Sequence, residues 1–75
     1  MPTTAIELYD HVRGRDGACD KWGNPVAYLE GVVVAPGRHN RAPVGFTCVQ
    51  FPDWEQVAHV RPADLVVVHA APRRP

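Results

Sequence analysis

Seventy-five residues with an apolar fraction of 45% make one small globular domain near the lower size limit for independent folding, and exclude intrinsic disorder. Formal net charge is zero, which excludes the strongly basic footprint of a dedicated nucleic-acid binder. No run of about eighteen apolar residues is present, which excludes a membrane-spanning helix.

The charge is unevenly spread. Residues 1–35 hold three cations (Arg13, Arg15, Lys21) against five anions (Glu7, Asp10, Asp16, Asp20, Glu30). Residues 36–75 hold five arginines against three anions (Asp53, Glu55, Asp64). The N-terminus has neither a basic start nor an apolar run, so no secretion signal is expected and a cytoplasmic location follows by default.

Residues 6–12 alternate, with Ile6, Leu8 and Val12 on one face and Glu7, Tyr9, His11 and Arg13 on the other, the pattern of a half-buried strand. Asp10 interrupts the apolar face and marks a bend or bulge. Residues 13–25 show neither strand nor helix period and read as one long loop carrying Trp22, opened by Gly14-Arg15-Asp16-Gly17 and closed by Asn24-Pro25. Trp22 is read either as a lid on a small core or as a binding residue.

Residues 26–35 are the longest apolar run and predict a central strand bent at Gly31. Residues 36–43 form a breaker-rich basic loop with Arg38, His39 and Arg41. Residues 44–51 predict a third strand, with Thr47, Val49 and Phe51 facing one way and Val44, Phe46 and Cys48 the other. Pro52-Asp53-Trp54-Glu55 is a tight turn.

The most informative stretch is 57–68. Arg61-Pro62 ends one strand, because proline donates no ladder hydrogen bond. Pro62-Ala63-Asp64 fits a single 3₁₀ turn, and the β-branched run that follows reads as a closing strand. Residues 69–75 form a flexible tail with Arg73 and Arg74. Leu8, Val33, Val49, Val60, Leu65 and Val67 are the expected core. Cations that are nearly all arginine, with abundant Ala, Val, Pro and Gly, point to a GC-rich genome such as that of an actinobacterium or one of its phages.

Five short strands, a long loop after the first, Gly31-Val32-Val33, Val49-Gln50-Phe51 and the Pro62-Ala63-Asp64-Leu65 corner together resemble the SH3-like small barrels. Val12-Arg13 running to the Asp16-Gly17 turn is most similar to the KOW and Tudor-type branches. The resemblance spans residues 6–68 and implies an all-β, five-stranded SH3-like barrel. Proteins of that superfamily bind peptides, methylated side chains, RNA, DNA or ribosomal surfaces, and a few are enzymes, so it supports fold more than function. Asp16 and Asp20 sit where an acidic first loop of a proline-peptide groove would be. No tyrosine pair accompanies them, so that site is not carried over.

Catalytic chemistry finds little footing. The chain has no serine, which removes a serine triad, and no glycine-rich phosphate cradle precedes a helix. Cys19 and Cys48 allow one disulfide or two free thiols, with free thiols expected. His11, Cys19, Cys48, His59 and His69 lack metal-ligand spacing, and the histidines read as polar groups at strand edges. No metal and no cofactor is expected.

Trp22 and Trp54 both fall in loops, each beside acids: Asp20 for the first, Asp53 and Glu55 for the second. A loop tryptophan can anchor an interface or hold a cation on its face. The structural alternative is two rings plugging the ends of the barrel. The functional expectation is a non-catalytic binding module in an accessory or regulatory role. Its partner is another protein or a second copy, bound through Trp22, Trp54, Asp20, Asp53 and Glu55, with no membrane partner. The alternative is a nucleic-acid-binding module using Arg38, His39, Arg41, Arg73 and Arg74. A small oligomeric enzyme comes third.

Overall fold

The computed structural model describes residues 6–38 and 41–72. The strands are β1 (His11–Gly14), β2 (Glu30–Val33), β3 (Thr47–Gln50), β4 (Ala58–Val60) and β5 (Leu65–His69), with a 3₁₀ turn at Pro62–Asp64. Among the described residues the five strands pair antiparallel, in one sheet of order β4-β3-β2-β1-β5. The first four strands form a meander, and the fifth returns to lie against the first. β4 and β5 are the outer strands and do not pair with each other, so the sheet is open. Among the described residues no helix is long and apolar enough to cross a membrane.

The corner forms as its sequence dictates. Arg61 is extended, Pro62 opens the 3₁₀ turn without needing a donor, and Asp64 N–H donates to Arg61 O at 2.9 Å. Arg15 N–H then donates to Asp64 O at 2.8 Å, tying the corner to the loop after β1.

Nine buried residues make the core: Val12, Ala18, Val26, Val33, Val49, Phe51, Ala58, Val60 and Leu65. Ile6, Trp54 and Val67 pack against it half-buried. Four of the six expected core residues (Val33, Val49, Val60, Leu65) are thus buried, and Val67 lies at the margin. At Gly31 a Cβ would stand 2.6 Å from Gln50 O and 2.8 Å from Phe51 Cδ1. The glycine is required there because β3 comes that close.

The start of β1 differs from the alternation. Residues 8 and 9 form a turn, Tyr9 takes a left-handed φ of 69°, and Leu8 is 43% exposed rather than in the core. The regular strand begins only at His11, and its pairing with β5 shifts register between His11 and Val12, beside the expected bulge residue.

The reason lies in Asp10, which is fully buried. Its Oδ2 accepts from Glu7 N–H at 2.9 Å and its Oδ1 from Ala71 N–H at 2.8 Å. The chain after β5, expected to be a loose tail, is therefore held as far as residue 71.

Asp10→Ala is expected to cost about 2–4 kcal/mol, because two donors lose a charged acceptor. Asp10→Asn should fall between, keeping the shape but not the charge. Urea denaturation measures both, and an unchanged midpoint for Asp10→Ala would refute the latch.

Two other strands are shorter than predicted. Tyr28 has φ 64°, and Leu29 N–H donates to Val26 O at 3.1 Å, so residues 26–29 turn and β2 starts at Glu30. Gly45 has φ 89°, and Phe46 N–H reaches back to Pro43 O, so Val44 is fully exposed and β3 starts at Thr47. Cys48 and Val49 are both buried, so β3 is covered on both faces.

Candidate functional site

Residues 18–26 of the first loop fold as a small hairpin. Val26 N–H donates to Ala18 O, Asp20 N–H donates to Asn24 O, and Cys19 bridges Pro25. Its tip is organised by the buried Asp20 carboxylate. Asp20 Oδ1 accepts from Trp22 N–H and Asn24 N–H, each at 2.9 Å, and Oδ2 accepts from Asn24 Nδ2 at 3.1 Å. This is an aspartate closing its own turn, and it holds Trp22 at the apex. Asp20, expected to face a partner, thus spends three acceptor positions on shaping the loop.

The hairpin is pinned to the outer strand by Lys21 N–H donating to His59 O at 3.0 Å. His59 is buried and its ring stacks on Trp22, with centroids 5.4 Å apart and planes 30° apart. This corrects the reading of His59 as a polar edge residue: it backs the indole. Trp22 nevertheless stays 57% exposed. Lys21 Nζ lies 4.6 Å from the indole centroid.

Trp54 behaves differently. It is half-buried, packs on the core and tilts against Phe51 at a centroid distance of 5.1 Å. The turn holding it is stitched by Gln50 Nε2, which donates to Phe51 O at 3.0 Å and to Trp54 O at 2.9 Å. Asp53 in that turn has φ 70° and is exposed, as is Glu55.

These two segments meet. Asp20, Trp22, Asp53, Trp54 and Glu55 line one cleft of about 240 Å³, with Asn24, Gln56 and Val57. The five residues singled out for partner binding therefore line one cleft, although more than thirty positions separate the two groups in the chain. On another side of Trp22 lies a groove of about 570 Å³ that takes in Lys21, Arg38, Arg41 and His59 and shares Glu55, Gln56 and Val57 with the cleft. Arg38 and Arg41 are exposed there. His39, Arg73 and Arg74 lie outside the described residues.

The thiols are free, Cys19 exposed and Cys48 buried. Burial pushes the Cys48 thiol up from its ordinary value, and a backbone hydrogen bond from Ala42 opposes that rise. A thiol so raised stays protonated near neutral pH and makes a poor nucleophile. His11 and His69 meet edge to face across β1 and β5 at 5.9 Å. Among the described residues no group of three or more His, Cys, Asp or Glu side chains is placed to hold a metal ion.

Sequence reasoning missed two residues that build the site, His59 and Lys21. Lys21 could have been found as the lysine adjoining a loop tryptophan. His59 carried no local signal, because its partner is set by the docking of the loop. No family model, curated protein or solved structure matches this chain.

Proposed function

We propose that this chain is a small non-catalytic binding module whose partner is another protein or a second copy of itself, in an accessory or regulatory role. The partner docks at the cleft between Trp22 and Trp54. One observation carries the reading: two tryptophans and the acids Asp53 and Glu55, from separate segments, converge on one cleft of about 240 Å³. Such a cleft suits an Arg or Lys side chain, held by the rings and the two carboxylates together. Trp22 contributes the exposed area that an interface anchor needs, and Trp54 the rigid wall.

The fold reading that accompanies this is an SH3-like barrel. Its supports are the four-strand meander, the return of β5 to β1, and the 3₁₀ turn directly before the last strand.

The test measures stability and association on the same variants. Trp22→Ala should leave thermal unfolding nearly unchanged and weaken association by about 2 kcal/mol or more. Asp53→Lys should likewise weaken association, at a small cost in stability because the exposed residue holds a left-handed φ of 70°. Trp54→Ala should lose both, because its ring also covers Phe51. Association is read by sedimentation for self-assembly and by nuclease-treated pull-down for a foreign partner. Unchanged association in both Trp22→Ala and Asp53→Lys would defeat the reading.

A further inference from the structure

We propose that the groove on the basic side of Trp22 binds a nucleotide, its base stacked on the Trp22 indole and its phosphate held by Arg38 and Arg41. This goes beyond the protein-partner reading and uses a different set of charges around the same ring. Its shared chemistry, a nucleobase bearing phosphate, has two sources: a free nucleotide or a single-stranded nucleic acid.

Three observations converge. The first is the platform. Trp22 is 57% exposed although its ring is backed by the buried His59 at 5.4 Å. An exposed indole steadied by a stacked neighbour, with only the mobile Lys21 ammonium over it, is a platform for base stacking, and stacking tolerates any base because every base has a π-face. The tip is also fixed before any ligand arrives, by the three hydrogen bonds to Asp20 and by the Lys21–His59 backbone bond. Little ordering remains to be done on binding.

The second is charge. Lys21, Arg38 and Arg41 line this groove, and Glu55 is the one acid among its described lining residues. Three cations against one anion make it locally basic on a chain whose formal net charge is zero. Two arginines on one loop offer planar, multi-donor partners that match phosphate oxygens. Lys21 Nζ lies 4.6 Å from the indole centroid. A base laid on the ring takes that ammonium's place, and its four-carbon stem lets it follow to the phosphate.

The third is size. At about 570 Å³ the groove falls within the roughly 300–1,000 Å³ span of small-molecule sites, and is more than twice the neighbouring acidic cleft. A lone anion would leave most of it empty, whereas it has room for a base, sugar and phosphate.

The test uses the whole chain and four probes: adenosine monophosphate, a deoxyadenosine hexanucleotide, inorganic phosphate and phosphotyrosine. Location is read from the two indole N–H resonances, affinity from calorimetry. Adenosine monophosphate should shift the Trp22 indole signal and leave that of Trp54 in place. Trp22→Ala should weaken binding about tenfold through lost stacking. Arg38→Glu and Arg41→Glu, both exposed and safe for folding, should each weaken it about tenfold.

With two phosphate contacts, raising salt from about 50 to about 200 mM should weaken the hexanucleotide about sevenfold. A hexanucleotide bound more than about tenfold tighter than the mononucleotide makes the source a strand, and equal affinities make it a free nucleotide; both support the site. If Trp22→Ala does not fold, the two arginine variants carry the test. No Trp22 shift with either nucleotide at several millimolar overturns the proposal. So does inorganic phosphate binding as tightly as adenosine monophosphate, which leaves a bare anion site, or phosphotyrosine binding more tightly, which makes the ligand a phosphopeptide. Asp53→Lys lies outside this groove, so losing protein association there while nucleotide binding persists separates failure of one reading from failure of the other.

Discussion

Gly14→Ala is expected to remove about 4 kcal/mol or more of stability, a large share of the roughly 4–11 kcal/mol that a domain of this length holds. A Cβ at this position would fall on the carbonyl oxygen of Val26, 2.7 Å from that carbonyl carbon and 3.3 Å from Ala27 Cα. All three are backbone atoms, so no side chain can swing aside.

Nor can the backbone retreat. Gly14 N–H donates to Leu29 O, Gly14 O accepts from Tyr28 N–H, and the residue also pairs with Leu65 of β5. Parting the strand from residues 26–27 breaks that set, and with it the burial of Val26. Overpacking in side-chain cores commonly costs about 1–3 kcal/mol; a clash with fixed backbone belongs above that range. Thermal and urea unfolding followed by circular dichroism would show it. A melting temperature within a few degrees of the parent would mean that the close approach of β1 to residue 26 is wrong.

Phe51→Ala should cost about 3–5 kcal/mol. Phe51 is 1% exposed and is the largest fully buried side chain among the described residues. It lies where three parts of the fold meet: the end of β3, the ring of Trp54 at 5.1 Å, and the space beside Gly31 that a Cβ would enter 2.8 Å from its ring. Gly31 cannot fill the void, and Trp54 is held in its turn by the Gln50 side chain. The cavity therefore persists, and its cost adds to the lost burial. For a domain of this length, whose total stability runs at about 0.05–0.15 kcal/mol per residue or roughly 4–11 kcal/mol, the loss takes at least about a quarter of the total. A shift of the urea midpoint equivalent to less than about 1.5 kcal/mol would mean that the core collapses around the gap instead.

What the sequence made legible was local. Pro62-Ala63-Asp64 is the 3₁₀ turn it was expected to be, and β5 begins at Leu65, because proline geometry and a β-branched run act on their own residues. Residues 6–12 misled for the opposite reason. Their alternation is real, but Asp10 is claimed by Ala71, sixty-one positions away, and the chain turns at 8–9 to deliver it. A buried acid on an apolar face was the visible sign, and it reads as a bulge unless its distant partner is known. The site follows the same division. Trp22 and Trp54 were placeable in loops, and the acids beside them were evident. Their convergence on one cleft, the stacking of His59, and the gathering of Arg38 and Arg41 into the groove that Trp22 and His59 line all depend on how the loops dock.

The bond from Lys21 to His59 also bears on how this protein behaves in a crowded solution. β4 is an outer strand whose three residues, Ala58, His59 and Val60, are all buried, and the edge of an outer strand can recruit a strand from another molecule when its rim is bare. The tip of the first loop lies along that rim and takes up the His59 carbonyl. The segment that presents Trp22 thus also takes up an acceptor on the β4 edge that another strand would need. Whatever loosens the tip, including loss of the Asp20 carboxylate that closes it, uncovers a strand ready to stack. The nine residues 18–26 thus both present the Trp22 ring and cover part of the β4 edge, so a change in that loop acts on the two together.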